Sequence, residues 1–296
     1  MTQTADTQDQ STDIQQIIAQ MPPLSTTVNK LLEICNDPKA SAGELAQVIS
    51  LDPVLTGKVI KLINSVYYSL PSKIGSLNRA IILLGINTVT NLALSTTILE
   101  KFSNPGTRSG FPMDAFWAHS IGVGVTAKTI AALLDIPRKE WEAYFVAGLL
   151  HDLGKIPLGL SNPQAYERIA YMDHPSGLSS VALEQNKFGM HHCDVGGMIA
   201  EKWHLGNALD DALRHHHSPD ESAEDNRQMT AIVALGDLFA REILEGGSRY
   251  NDLEGQTVER LQEAVGIPWA ELTEHRKAIL SEIKNAQIFL QISEKG

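Results

Sequence analysis

The segment AGLLHDLGKIPLG, residues 147–159, carries an apolar helix-like run into His151 and Asp152, and then into Gly154, Lys155 and Pro157. An imidazole beside a carboxylate at the end of a buried run is costly unless the two are paired, hydrogen-bonded or bound to metal. Asp237, in VALGDLFA, poses the same problem in the middle of an apolar helical run. Nearly all of the chain's 10 histidines fall between His119 and His217, mostly at helical positions. Singly, each has a plain structural role. His119 reads as a core histidine bonded to a carbonyl, and His215, His216 and His217 as a cationic helix end favoured by the helix dipole. A shared site accounts for several of them at once, because neutral imidazoles and carboxylates bind borderline divalent ions and a carboxylate can bridge two. Neighbouring residues on a helix point about 100° apart, so His151 and Asp152 can reach different sides of a metal pair. Two ions about 3.5–4 Å apart suit phosphoester hydrolysis, and Lys155 could then offset phosphate charge.

The elements that must hold such residues are helices. Val28, Leu31, Leu32 and Cys35 follow the 3.6-residue period. Ser41 with Glu44 makes a capping box, and Asp52 before Pro53 is a second helix start. Gly85 separates two further runs, with Asn87 placed to cap the second. Pro, Gly and Ser interrupt the period at 102–112, after which helical patterns resume to residue 292. The spacing predicts an all-α chain: a disordered tail over 1–12, an N-terminal helical bundle over 13–105 and a C-terminal helical domain over 112–292 that carries the candidate site. The tail follows from MTQTADTQDQST, which has no large apolar side chain after Met1.

Composition narrows the function. With 24 basic against 35 acidic residues the net charge is −11, which argues against nucleic acid as partner. A helix-turn-helix reading of AIILLGINTVTNL fails on the same ground, since its recognition helix has no Arg or Lys before Lys101. No apolar run approaches the roughly 20 residues of a membrane span, and no charged n-region of a signal peptide is present. Cys35 and Cys193 form neither a disulfide framework nor a CxxC site. A cytoplasmic protein without membrane contact is expected.

The order of SLDP, NSVYY, FWAHS, AGLLHDLGK, HHCDVGGMIAEKW and LRHHHSPD, spread over residues 17–239, resembles the HDOD domains, bacterial signalling domains related to the HD superfamily of metal-dependent phosphohydrolases. The resemblance implies an HD-type helical fold for the C-terminal part. It also implies a metal-ligand set of His119, His151, Asp152, His192, His216, His217 and Asp237, with Lys155 matching the lysine that follows the His-Asp pair. Two divalent ions are then expected, with iron, manganese, zinc or nickel all compatible. Asp152 is the expected bridge, and Asp152 and Lys155 are the expected catalytic residues. The Gly-Tyr-Pro stretch of relatives that hydrolyse cyclic di-GMP is replaced here by HHHSPDESAEDNRQ. Glu184 and Asp194 are candidates to orient ligand imidazoles. His191 and His215 fall outside the set, and Cys193 reads as a small buried hydrophobe. The implied function is a signal-transduction protein with phosphohydrolase activity on a phosphoester or nucleotide. The alternative is a non-catalytic module that binds a signalling protein and keeps a structural or vestigial metal site.

Overall fold

The computed structural model describes residues 2–35, 41–102, 111–171, 179–245 and 252–294, and every regular element among them is helical. The N-terminal half comprises α1 (Thr2–Gln20), α2 (Thr26–Cys35), α3 (Ala42–Ser50), α4 (Pro53–Ile63), α5 (Leu77–Leu84) and α6 (Ile86–Phe102). The capping box forms at the start of α3, with Ser41 Oγ accepting from Glu44 N and the Glu44 carboxylate accepting from Ser41 N. Asp52 Oδ1 accepts from Leu55 N at the start of α4, where Pro53 opens the helix. Gly85 takes φ 90° between α5 and α6, a backbone region that glycine enters without a Cβ penalty. Helix α6 begins at Ile86, so Asn87 lies inside its first turn and not at the expected cap. Much of its surface is buried, Val89, Leu92, Ala93 and Ile98 completely, so the segment rejected as a recognition helix is a core element.

The expected disordered tail is corrected, because α1 starts at Thr2. Ile14 and Ile18, one turn apart and both buried, seat the end of this helix. Once a nucleus is anchored, extending it through polar residues is far cheaper than starting a helix.

The second half begins with α7 (Met113–Leu133) and α8 (Trp141–Leu150), followed by α9 (Lys155–Ser161), α10 (Pro163–Tyr171), α11 (Ser180–Phe188), α12 (His192–Trp203) and α13 (Asn207–His215). Then come α14 (Arg227–Glu245), α15 (Asp252–Val265), α16 (Trp269–Ala286) and α17 (Ile288–Glu294). Helix α7 is the hub, packing on α8, α14 and α16. Its contact with α8 is close enough that a Cβ on Gly148 would come within 2.8 Å of Gly124 Cα. Pro157 falls in the first turn of α9, where its missing N–H costs no intrahelical bond, so it does not stop the helix.

Residues 103–110 of the expected boundary lie outside the described residues. The apolar core is continuous across it, from Ile14 to Ile292. The terminal helices cross between the halves: α1 packs on α9 and α11, and α17 packs on α4 and α6. Tyr67 and Tyr68, in the loop after α4, point inward. Tyr67 is buried against Phe145 and Phe289. Its hydroxyl accepts from Lys128 Nζ at 3.0 Å, and Lys128 is also bonded to the buried Glu142 carboxylate at 2.6 Å. The loop itself is clasped by Asn64, whose amide donates to Ile74 O and accepts from Ile74 N. No single described helix is long and apolar enough to cross a membrane; α5 and α6 reach that length together only across a bend of 118°.

Removing one partner of a buried ion pair strands the other charge, at a cost of about 3–5 kcal/mol. Lys128→Ala should therefore lower unfolding stability by about that amount in urea denaturation. Replacing Lys128 by Met and Glu142 by Leu together should recover most of the loss.

Candidate metal centre

Both adjacent ligand candidates sit where a helix has just ended. His151 and Asp152 follow α8, and His216 and His217 follow α13. The last turn of a helix leaves carbonyls without intrahelical partners, and the rings use them. His151 Nδ1 donates to Gly148 O at 2.7 Å, and His216 Nδ1 donates to Ala212 O at 3.1 Å. His192 opens α12, and its Nδ1 donates to Glu184 Oε2 at 2.6 Å while its backbone N–H donates to the same oxygen at 2.8 Å. In all three rings the hydrogen bond at Nδ1 turns Nε2 inward. Glu184, on α11, is fully buried and takes the orienting role suggested by its spacing.

All seven matched residues converge. Asp152 Oδ2 lies 3.3 Å from His151 Nε2 and 3.7 Å from His119 Nε2. Asp237 Oδ1, carried by α14, lies 3.0 Å from His119 Nε2 and 3.7 Å from His151 Nε2. On the other side, Asp152 Oδ1 is 3.4 Å from His192 Nε2 and 3.7 Å from His216 Nε2. His192 Nε2 is in turn 3.2 Å from His216 Nε2 and 3.1 Å from His217 Nε2. Ligands at about 2.0–2.2 Å from one ion stand roughly 3–3.5 Å from one another. The separations thus form two donor groups that share the Asp152 carboxylate. His119 Nε2, His151 Nε2 and Asp152 Oδ1 are buried without a hydrogen-bond partner, as suits donors to a cation. Nitrogen and carboxylate donors in this arrangement fit borderline divalent ions.

The electrostatics agree. Burial drives the Asp152 and Asp237 carboxyls up, but His151 and Lys155 beside the first and Arg241 beside the second outweigh it and hold both well below the usual carboxylate range. Burial, reinforced by the Lys155 ammonium nearby, keeps His192 well below the ordinary histidine value, as a neutral ring. For His151, burial is overcome by Asp152 and Asp237, and its value is pushed up to about 9. A proton and a metal ion are thus alternatives at the inward Nε2. Glu184 is pushed up to about 7 by burial, offset in part by Lys155 and the His192 backbone N–H.

Sequence reasoning missed Arg241. It lies one turn after Asp237 on α14 and grips it with two bonds, Nη2 to Oδ2 at 2.5 Å and Nε to Oδ1 at 3.0 Å. The i,i+4 Asp-Arg spacing was the available signal. Asp194 does not face a matched ligand; it caps α12 by accepting from His191 N at 3.0 Å. His191 stands 3.4 Å from Asp194, and His215 faces Asp211 and Glu221, so both lie outside the cluster. Gly154 lies in the turn between α8 and α9. A Cβ there would come within 1.9 Å of His192 O and 2.6 Å of Gly196 N, so the glycine lets the Asp152 turn sit directly on α12.

The sequence matches the HDOD domain family over residues 21–219. An uncharacterized protein of Treponema pallidum (strain Nichols) is 21% identical over 76% of this chain, which spans 43% of that protein's length. Among solved structures, an HDOD domain protein with unknown function from Geobacter sulfurreducens is similar at a TM-score of 0.72 and 23% identity, covering 96% of this chain and 99% of that one. A candidate phosphohydrolase from Shewanella amazonensis SB2B is similar at a TM-score of 0.70 and 20% identity, covering 94% of this chain and 98% of the other.

Gly154→Ala should push the Asp152 turn away from α12 and destabilise the fold by about 1–3 kcal/mol, as overpacking against backbone does. Thermal unfolding measures the loss; an unchanged melting temperature would show that the approach is not tight.

Proposed function

The chain belongs to the HDOD domain family, and from that premise we propose that it is a bacterial signal-transduction protein that holds two divalent ions and hydrolyses a phosphomonoester or phosphodiester, such as a nucleotide. The supporting observation is the division of the Asp152 carboxylate, with Oδ2 toward His119 and His151 and Oδ1 toward His192 and His216. Two ions so held would supply an activated water and charge stabilisation for the attacking and leaving oxygens. His119 and Asp237 complete one position, and His216 and His217 the other. Lys155, raised by Asp152 against the effect of burial, stays protonated and partly exposed beside the carboxylate. With Arg241 it forms a cationic edge that orients and neutralises a phosphate group. His217 is exposed at the same cluster and leaves it open to solvent.

A second reading has its own observation. Lys155 and Arg241 already neutralise Asp152 and Asp237. Such a site is electrostatically satisfied without turnover, as in a non-catalytic module that recruits a signalling protein.

Metal analysis of protein purified without chelator should find one or two equivalents of iron, manganese, zinc or nickel. Asp152→Ala should remove metal more completely than His191→Ala, because only Asp152 serves both donor groups. Across a panel of phosphomonoesters and phosphodiesters, Lys155→Ala should reduce kcat at least tenfold while metal content stays near the wild-type value. Bound metal with no hydrolysis anywhere on the panel would favour the recruiting module, and absence of metal would overturn the metal centre.

A further inference from the structure

Cys193 directly follows His192 on α12 and is 2% exposed. Its Sγ lies 3.9 Å from His216 Nε2, among the ring nitrogens of His192, His216 and His217, and the four donor atoms all lie within 4.8 Å of one another. His216 Nδ1 is committed to Ala212 O, which leaves Nε2 as the ring nitrogen that faces the sulfur. A zinc-like ion about 2.0–2.1 Å from nitrogen and about 2.3 Å from sulfur places tetrahedral N and S ligands roughly 3.6 Å apart, close to the observed separation. An independent pointer is Asp152 Oδ1, on a side chain 1% exposed, which has no hydrogen-bond partner and faces the same ring nitrogens.

We propose that Cys193 is a thiolate ligand of the His192, His216 and His217 position, so that the two metal positions are chemically unequal. This rests on the two-ion reading above. The position around His119, His151 and Asp237 offers only nitrogen and oxygen donors. The other adds a soft sulfur and therefore favours zinc or ferrous iron over manganese. Binding replaces the S–H bond with a sulfur–metal bond, and the proton leaves to solvent.

Cobalt(II) loaded into the chelator-stripped protein tests this. The expected result is a sulfur-to-cobalt charge-transfer band in the near ultraviolet. It should be lost in Cys193→Ser and kept in Cys35→Ser. Zinc titration of Cys193→Ser should show one of two equivalents held about tenfold or more weakly, the other unchanged. Two bound cobalt ions without the band, or a band that survives Cys193→Ser, would overturn the thiolate ligand while leaving the metal centre intact. No cobalt binding would overturn both.

Discussion

The structure is organised around one buried carboxylate. Asp152 is 1% exposed, yet each of its oxygens faces a different group of imidazoles. Burying a charge in this way requires compensation on every side, and the chain supplies it from four directions: α7 through His119, the end of α8 through His151, α12 through His192 and the end of α13 through His216. The hub packing of α7 on α8 and α14 is what brings His119, His151 and Asp237 to one point. The helices need not be rich in polar residues to do this. They need only deliver one or two ionisable groups each at the right height.

Close backbone contact fixes those heights. Gly124 and Gly148 let α7 and α8 meet without intervening side chains, and Gly154 lets the Asp152 turn rest on the first turn of α12. Glu184 then orients His192 from the far side, through its ring and its backbone N–H together. The ring tautomers are thereby set by groups outside the cluster: two helix-end carbonyls and one buried carboxylate. Precision at the centre is inherited from ordinary helix termini.

Much of this was legible in the sequence because helices announce themselves by period and cap. The capping box at Ser41 and the Asp52-Pro53 start appear as read, and the ionisable residues at odds with their apolar surroundings, Asp152 and Asp237, mark the cluster. Tertiary contacts were not legible. Helix α1 was missed because its polar start depends on Ile14 and Ile18 finding a core elsewhere in the chain. The close approach at Gly154 was not legible, since a glycine needed for close approach and a glycine needed for a turn are identical in sequence. Arg241 was passed over because an i,i+4 Asp-Arg pair is common on exposed helices, and only burial of Asp237 reveals its weight here.

Lys128 ties the two halves of the chain together, holding Glu142 of α8 while donating to Tyr67 from the loop after α4. Prising the N-terminal helices away would strip Tyr67 from this cluster and open the Glu142 pair to water. If the opened state lies about 3–5 kcal/mol uphill, a ligand that acts by opening it must bind that state roughly 10²–10⁴ times more tightly than the closed one. Weak encounters would leave the helices around Asp152 undisturbed. The hydroxyl of a single tyrosine thus marks the point where the N-terminal helices hold on to the ion pair of the other half.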